Sequence, residues 1–203
     1  NFKMVDINGQ YRHVTIPAEN FSEETMKSGI GFDASNYGYA VVEKSDMVFI
    51  PDPDTAVIDP FCSIPTLSMT GNAMIIANPE NRPLAQYPRN IIKAAVEHMK
   101  NSGVADEMKI LPEFEFYLFD DVTWNVEGRY IGATVDAKQS YWNSDVEGKG
   151  VVVPKQKNYH IAKPFDISYE CRSEMCMLMK EMGIEINYHH PEVAASGQFE
   201  IEP

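Results

Sequence analysis

PEFEFYLF (Pro112–Phe119) sets Glu113 and Glu115 on either side of one phenylalanine in an otherwise apolar and aromatic run. Successive side chains of a strand point to opposite faces, so Glu113, Glu115 and Tyr117 share one face while Phe114, Phe116 and Leu118 share the other. The run therefore reads as a strand with one face toward a core and one face carrying two carboxylates. The alternation returns near the C-terminus in HHPEVAASGQFEIEP, where Glu200 and Glu202 interleave with Phe199 and Ile201. Glu192 lies on the preceding strand-like run, across a Ser196-Gly197 turn. If those two runs pair as a hairpin, Glu192 and Glu200 meet on one face, and like charges so placed raise each other's pKa unless a cation neutralises them. Clustered carboxylate oxygens suit Mg²⁺ or Mn²⁺. The solvated face of a half-exposed sheet is the other reading of the same pattern.

The bulk properties restrict the class. A chain of 203 residues can bury a sizeable core in one large or two small domains. Its 44% hydrophobic and 23% charged residues are those of a folded globular chain. A formal charge of -13 argues against a phosphate-backbone footprint, which needs clustered Lys and Arg, so no nucleic-acid partner is expected. The chain has no apolar run of about 18 residues and no leader-like N-terminus, so neither a membrane span nor secretion is expected. Cys62, Cys171 and Cys176 lack a CxxC spacing and fit reduced thiols in a cytoplasmic protein. The chain opens on Asn1 within a strand-like run and stops within another, which reads as a portion of a longer protein, truncated at both ends.

Along the chain, residues 1–80 read as mostly β. Phe2–Ile7 and Tyr11–Ile16 flank an Asn8-Gly9 pair and predict a hairpin. Further strands are expected over 40–42, 47–51 and 74–77, with a short helix within 21–29. Three prolines over 78–88 mark a domain boundary. A helix follows over 89–102, with Ile91, Ile92, Ala95, Val96 and Met99 on its apolar stripe and Gly103 past its end. Residues 121–164 show no clear periodicity. A second helix is expected over 167–182, capped by Asp166, with Ile167, Cys171, Met175, Leu178, Met179 and Met182 facing the core. Cys171 is then a buried small hydrophobe. Strands over 184–193 and from Gln198 onward complete the pattern.

Five segments in order, GFDASNYG (31–38), EKSDMVFIPDPDTAVIDPF (43–61), YPRNIIKAAVEHM (87–99), PEFEFYLFD (112–120) and HHPEVAASGQFEIE (189–202), together resemble the glutamine synthetase family over nearly the whole chain. The resemblance implies an α+β protein. A β-grasp N-terminal domain (1–84) would precede the first part of the glutamine synthetase catalytic α/β domain (85–203), which contains an antiparallel sheet. It implies a cytoplasmic ligase of nitrogen metabolism that joins ammonia to glutamate with ATP, through a γ-glutamyl phosphate. Mg²⁺ or Mn²⁺ would serve as cofactor, in a ring-shaped homo-oligomer, a dodecamer.

By that resemblance Glu113 binds the metal beside the nucleotide phosphates, and Glu115, Glu192 and Glu200 hold the metal beside substrate glutamate. Pro191 departs from the family's commoner HHEVA pattern, but the eight-residue spacing from Glu192 to Glu200 is kept. His189 and His190 read equally as site residues or as a packed, hydrogen-bonded strand. The FDASN segment offers Asp33 to bind ammonium and take its proton across a subunit boundary; an Asx-turn with Ser35 is the other reading. Asn187 and Tyr159 match positions near ATP. A related ligase using another amine, or a non-catalytic relative, remains open, and the 203-residue chain by itself is expected to be inactive.

Overall fold

The computed structural model describes residues 1–148 and 151–203, which divide into two compact units, Asn1–Lys109 and Ile110–Pro203. In chain order the first unit holds β1 (Phe2–Val5), β2 (Tyr11–Val14), α1 (Glu23–Ser28), β3 (Ile30–Asp33), β4 (Asp46–Pro51), β5 (Val57–Ile58), β6 (Leu67–Ser68), β7 (Gly71–Ile75), β8 (Arg82–Pro83) and α2 (Pro88–Ser102). The second holds β9 (Phe114–Tyr117), β10 (Asp121–Glu127), β11 (Tyr130–Asp136), α3 (Tyr169–Glu181), β12 (Tyr188–Pro191) and β13 (Gln198–Glu202).

In the first unit β1 and β2 form the hairpin predicted by Asn8-Gly9, with Phe2 opposite Val14 and Gly9 at φ 82°. Asp6 is buried at its base and accepts from the backbone N–H groups of Asn8 and Gln10 and from Arg12 Nε. Charge-assisted bonds of this kind offset the cost of burying the carboxylate. An antiparallel sheet runs in the order β3-β4-β7-β8, and α1 starts at a capping box formed by Ser22 and Thr25. β4 and β7 approach so closely at Gly71 that a Cβ there would lie 2.2 Å from the Ile50 carbonyl oxygen, a contact only glycine escapes. Phe2, Met4, Phe49 and Met69 pack as one core cluster, and Ala34, Met47, Ala73, Leu84 and Tyr87 as another.

Two expectations for this unit need correction. No strand forms over 40–42: a 3-10 turn runs Val42–Lys44, fastened by Ser45 Oγ donating to the Val42 carbonyl, and Val41 and Val42 are exposed. The apolar stripe of α2 is also turned outward, with Ile91 51% and Ile92 55% exposed. The helix is anchored instead along an edge through Tyr87 and Asn90. Buried Asn90 donates through Nδ2 to the carbonyls of Ala73 (2.8 Å) and Leu84 (2.9 Å). Hydrogen-bonding demand of buried carbonyls thus outranks the apolar periodicity here.

In the second unit an antiparallel sheet runs β12-β13-β9, with α3 packed on β12. β10 and β11 pair over seven residues each, within the stretch that shows no clear pattern in sequence. All of β10 is exposed, so no apolar-in, polar-out contrast marks it. α3 begins at Tyr169, with Ser168 before it and no side-chain cap bond. Asp166 does not cap it but pairs with Arg172 in a buried, two-pronged ion pair (2.8 and 2.6 Å). The inward face of the helix accordingly starts at Arg172, 1% exposed, and continues through the half-buried Met175, Met179 and Met182; Cys171, one residue away, is exposed. The expected strand over 184–193 shrinks to β12. On β9 Phe116 packs on Phe199, whereas Phe114 is exposed because β9 is an edge strand. No helix among the described residues is long and apolar enough to cross a membrane.

Replacing Asn90 by Leu strands two buried carbonyls, so the first unit should lose roughly 2–4 kcal/mol of stability. Urea unfolding followed by circular dichroism measures this, and an unchanged midpoint would show that Asn90 is not the anchor of α2.

Candidate metal centre

The register of the three-stranded sheet builds the site. Glu200 lies opposite His190 on β12 and opposite Glu115 on β9, so the three form one row across the sheet. One step along, Glu202 faces Tyr188. Because Ile201 pairs with Phe114, the next position of β9's chain, Glu113, falls beside Glu202. One step the other way, the Glu192 N–H donates to the Gln198 carbonyl (2.8 Å), which brings Glu192 beside the same face. Glu113, Glu115, Glu192, Glu200 and Tyr159 all line one open cavity of about 1050 Å³, together with His190 and Glu202.

The turn between the two strands centres on Gly197, read from the sequence as part of it, and is tied down by Asn158 and Gln198, whose bonds the sequence did not show. Gly197, at φ 89°, gives its carbonyl to the Leu118 N–H (2.8 Å), and a Cβ there would meet the Leu118 carbonyl oxygen at 2.7 Å. Buried Asn158 donates to the carbonyls of both Glu192 (3.0 Å) and Gln198 (3.1 Å), and its neighbour Tyr159 is thereby held at the cavity. Gln198 in turn donates to Glu115 Oε2 (2.8 Å) and accepts from the Ala194 N–H (2.8 Å). Asn158 sits in the stretch without periodicity, and only its adjacency to Tyr159 marks it in the sequence.

Adjacent histidines serve opposite faces, as strand geometry requires. His189 points toward α3, where Arg172 Nε donates to its Nδ1 (3.2 Å); burial first, and then the Arg172 charge, hold its pKa down. His190 faces the carboxylates, with Nδ1 3.7 Å from Glu192 Oε1 and Nε2 3.6 Å from Glu200 Oε2. On the far side Arg172 spreads over the Phe199 ring, 4.5 Å from its centroid, which fixes the strand that bears Glu200.

Glu200 is the most constrained member. It is 5% exposed, and its Oε1 is buried with no hydrogen-bond partner. Burial, then the hydrogen bond with Glu192, push its pKa up to about 7. Two triads of ligand atoms lie within 4.8 Å of one another: His190, Glu192 and Glu200, and Glu113, Glu200 and Glu202. An orphaned carboxylate oxygen among oxygen donors and one imidazole is a donor set that suits a hard or borderline divalent cation such as Mg²⁺ or Mn²⁺.

Of the other predicted residues, Tyr159 stays at this cavity and Asn187 does not. Asn187 lines a separate hollow with Cys176 and Lys180, and its Nδ2 reaches the Pro203 carbonyl at 3.5 Å. Tyr159 stacks on His160 (3.9 Å between ring centroids) and meets His190 edge-on. Asp33 belongs to the first unit, where it accepts from the Ser35 N–H (2.9 Å), Ser35 Oγ (2.7 Å) and Asn36 Nδ2 (3.3 Å). The Ser35 hydroxyl, foremost, holds its pKa below the ordinary aspartate value.

Comparison with known proteins agrees with this geometry. Residues 1–75 match the glutamine synthetase β-grasp domain and residues 85–203 the glutamine synthetase catalytic domain. A 3-hydroxylaminophenol mutase of Cupriavidus pinatubonensis is 35% identical over 206 residues, which are 99% of this chain and 43% of the relative. A glutamine synthetase of Aquifex aeolicus is 36% identical over 203 residues, 100% of this chain and 43% of the relative. The cryo-EM structure of Plasmodium falciparum glutamine synthetase shares the fold, with a TM-score of 0.84 at 22% identity, covering 99% of this chain and 40% of that one. The chain thus spans less than half the length of these relatives. A β-grasp part followed by an antiparallel catalytic sheet is the α+β architecture expected from the sequence, and the chain belongs to the glutamine synthetase family.

Proposed function

We propose that the full-length protein is an ATP-dependent ligase that joins ammonia to glutamate through a γ-glutamyl phosphate, with Mg²⁺ or Mn²⁺ at the glutamate wall. The observation that carries this reading is the buried, unpartnered Oε1 of Glu200 within a row of carboxylates. A divalent cation supplies charge neutralisation where triphosphate and substrate carboxylate converge. Glu113 serves the nucleotide-phosphate side, and Glu115, Glu192 and Glu200 the glutamate side. Gln198 keeps Glu115 oriented through its amide. Tyr159 offers an exposed aromatic face to the nucleotide, and Asn187 a side-chain amide.

Asp33 attracts ammonium and takes its proton. Its Asx-turn bonds to Ser35 suit this role rather than compete with it, because they keep the carboxylate ionised and in one orientation. The working form is a cytoplasmic homo-oligomeric ring, a dodecamer.

Purified full-length protein should release phosphate from ATP only when glutamate and ammonium are both present. Glu115→Ala should lower that rate by roughly a hundredfold or more, about 2.7 kcal/mol of barrier. A panel of other amines checks the choice of nucleophile. 3-Hydroxylaminophenol belongs in the same assay, because the Cupriavidus relative is about as similar. Conversion of it without ATP cleavage would replace the ligase reading.

The raised pKa of Glu200 adds a pH dependence. A carboxyl that keeps its proton in the folded state up to about 7, against an ordinary value of 4.5, contributes stability at low pH that is lost as pH rises through that window. The metal-free protein should therefore melt at lower temperature at about pH 8 than at about pH 5.5, and Mn²⁺ should restore the loss at the higher pH. Thermal melts with and without Mn²⁺ read this directly; a metal-free melting temperature that rises over the range would contradict the assignment.

A further inference from the structure

Glu202 has no part in the roles assigned above, yet the sheet places it at the wall. It follows Glu200 by two residues on β13 and so shares its face. It is half-buried and stands opposite Tyr188, whose proton it, as the first cause, holds above the usual phenol range. Its carboxylate oxygen lies within 4.8 Å of those of Glu113 and Glu200. A glutamate present only for solvation would turn away from two other carboxylates, since like charges at that distance cost energy on every side.

The two triads share one residue, Glu200. Its Oε2 faces His190, while its Oε1 is buried without a partner. A carboxylate has two oxygens and can serve two ions at once.

We propose that Glu202 is a ligand of the divalent cation beside Glu113, with Glu200 shared between that ion and the one held by Glu192 and His190. Glu202 and the shared Glu200 thereby give the nucleotide-side ion two further oxygens from one strand. This rests on the metal-dependent reading of the site.

Mn²⁺ titration of the full-length protein, followed by calorimetry and by electron paramagnetic resonance, tests it. Wild type should bind two Mn²⁺ per chain. Glu202→Gln should weaken one of them by about tenfold or more and leave the other nearly unchanged. Glu192→Gln should weaken the other one, and Glu202→Asp should recover part of the lost affinity. Thermal melts of each metal-free variant show whether it folds. A Glu202→Gln titration that superimposes on wild type overturns the role of Glu202 while leaving the metal site standing, as does equal weakening of both ions. Absence of any bound Mn²⁺ in wild type overturns both.

Discussion

Glu200 sits in the middle of a three-stranded sheet with His190 on one side and Glu115 on the other, and its carboxylate is nearly sealed from water. Burying an unpaired carboxylate costs several kcal/mol, and it settles either by holding a proton or by meeting a cation. The surroundings of Glu200 bear on that choice. Arg172 borders the cavity but is already engaged, paired with Asp166 and spread over the Phe199 ring. His190 stands beyond hydrogen-bonding reach of both glutamates. Lys163, which lines the same cavity, is paired with Glu170, so among the described residues the cavity's cationic side chains are already engaged and a bound divalent ion would balance the wall.

Order in the backbone makes this arrangement tolerable. Asn158 gathers two carbonyls of the hairpin, Gln198 ties Glu115 to the Ala194 amide, and Gly197 allows the turn to touch the carbonyl after β9. None of these residues offers a ligand oxygen to the cation in the proposed scheme. Their work is to remove conformational freedom, so that a cation meets ligands already placed.

Strand-level features were legible in the sequence because strand geometry is local. The alternation in PEFEFYLF and QFEIE sorts residues between faces, and the Asn-Gly pair closes a hairpin; both follow from period two and turn chemistry alone. Helix faces were read less well. At the start of α3 a buried ion pair drew Arg172 inward in place of Cys171, while Met175, Leu178, Met179 and Met182 keep the expected face. On α2 the residue held inward is Asn90, which satisfies two carbonyls of the sheet region, while Ile91 and Ile92 are exposed. Apolar periodicity could predict neither, since in both cases a polar side chain takes the inward position. The β10–β11 hairpin escaped notice for a related reason: with both faces of β10 exposed, nothing in its composition separates inside from outside.

By itself the sequence determined the family, the two strands that carry the glutamates, and which glutamates alternate onto a common face, because these depend on motif spacing and on the two-residue repeat. Tertiary structure alone decided which carboxylates become neighbours. Register brought Glu202 beside Glu113, set His190 opposite Glu200, and left one oxygen of Glu200 buried without a partner. Pairing between β9 and β13 joins residues more than eighty positions apart, as in the bond from Gln198 to Glu115. Nothing in a local pattern encodes that distance; the closing of the sheet does.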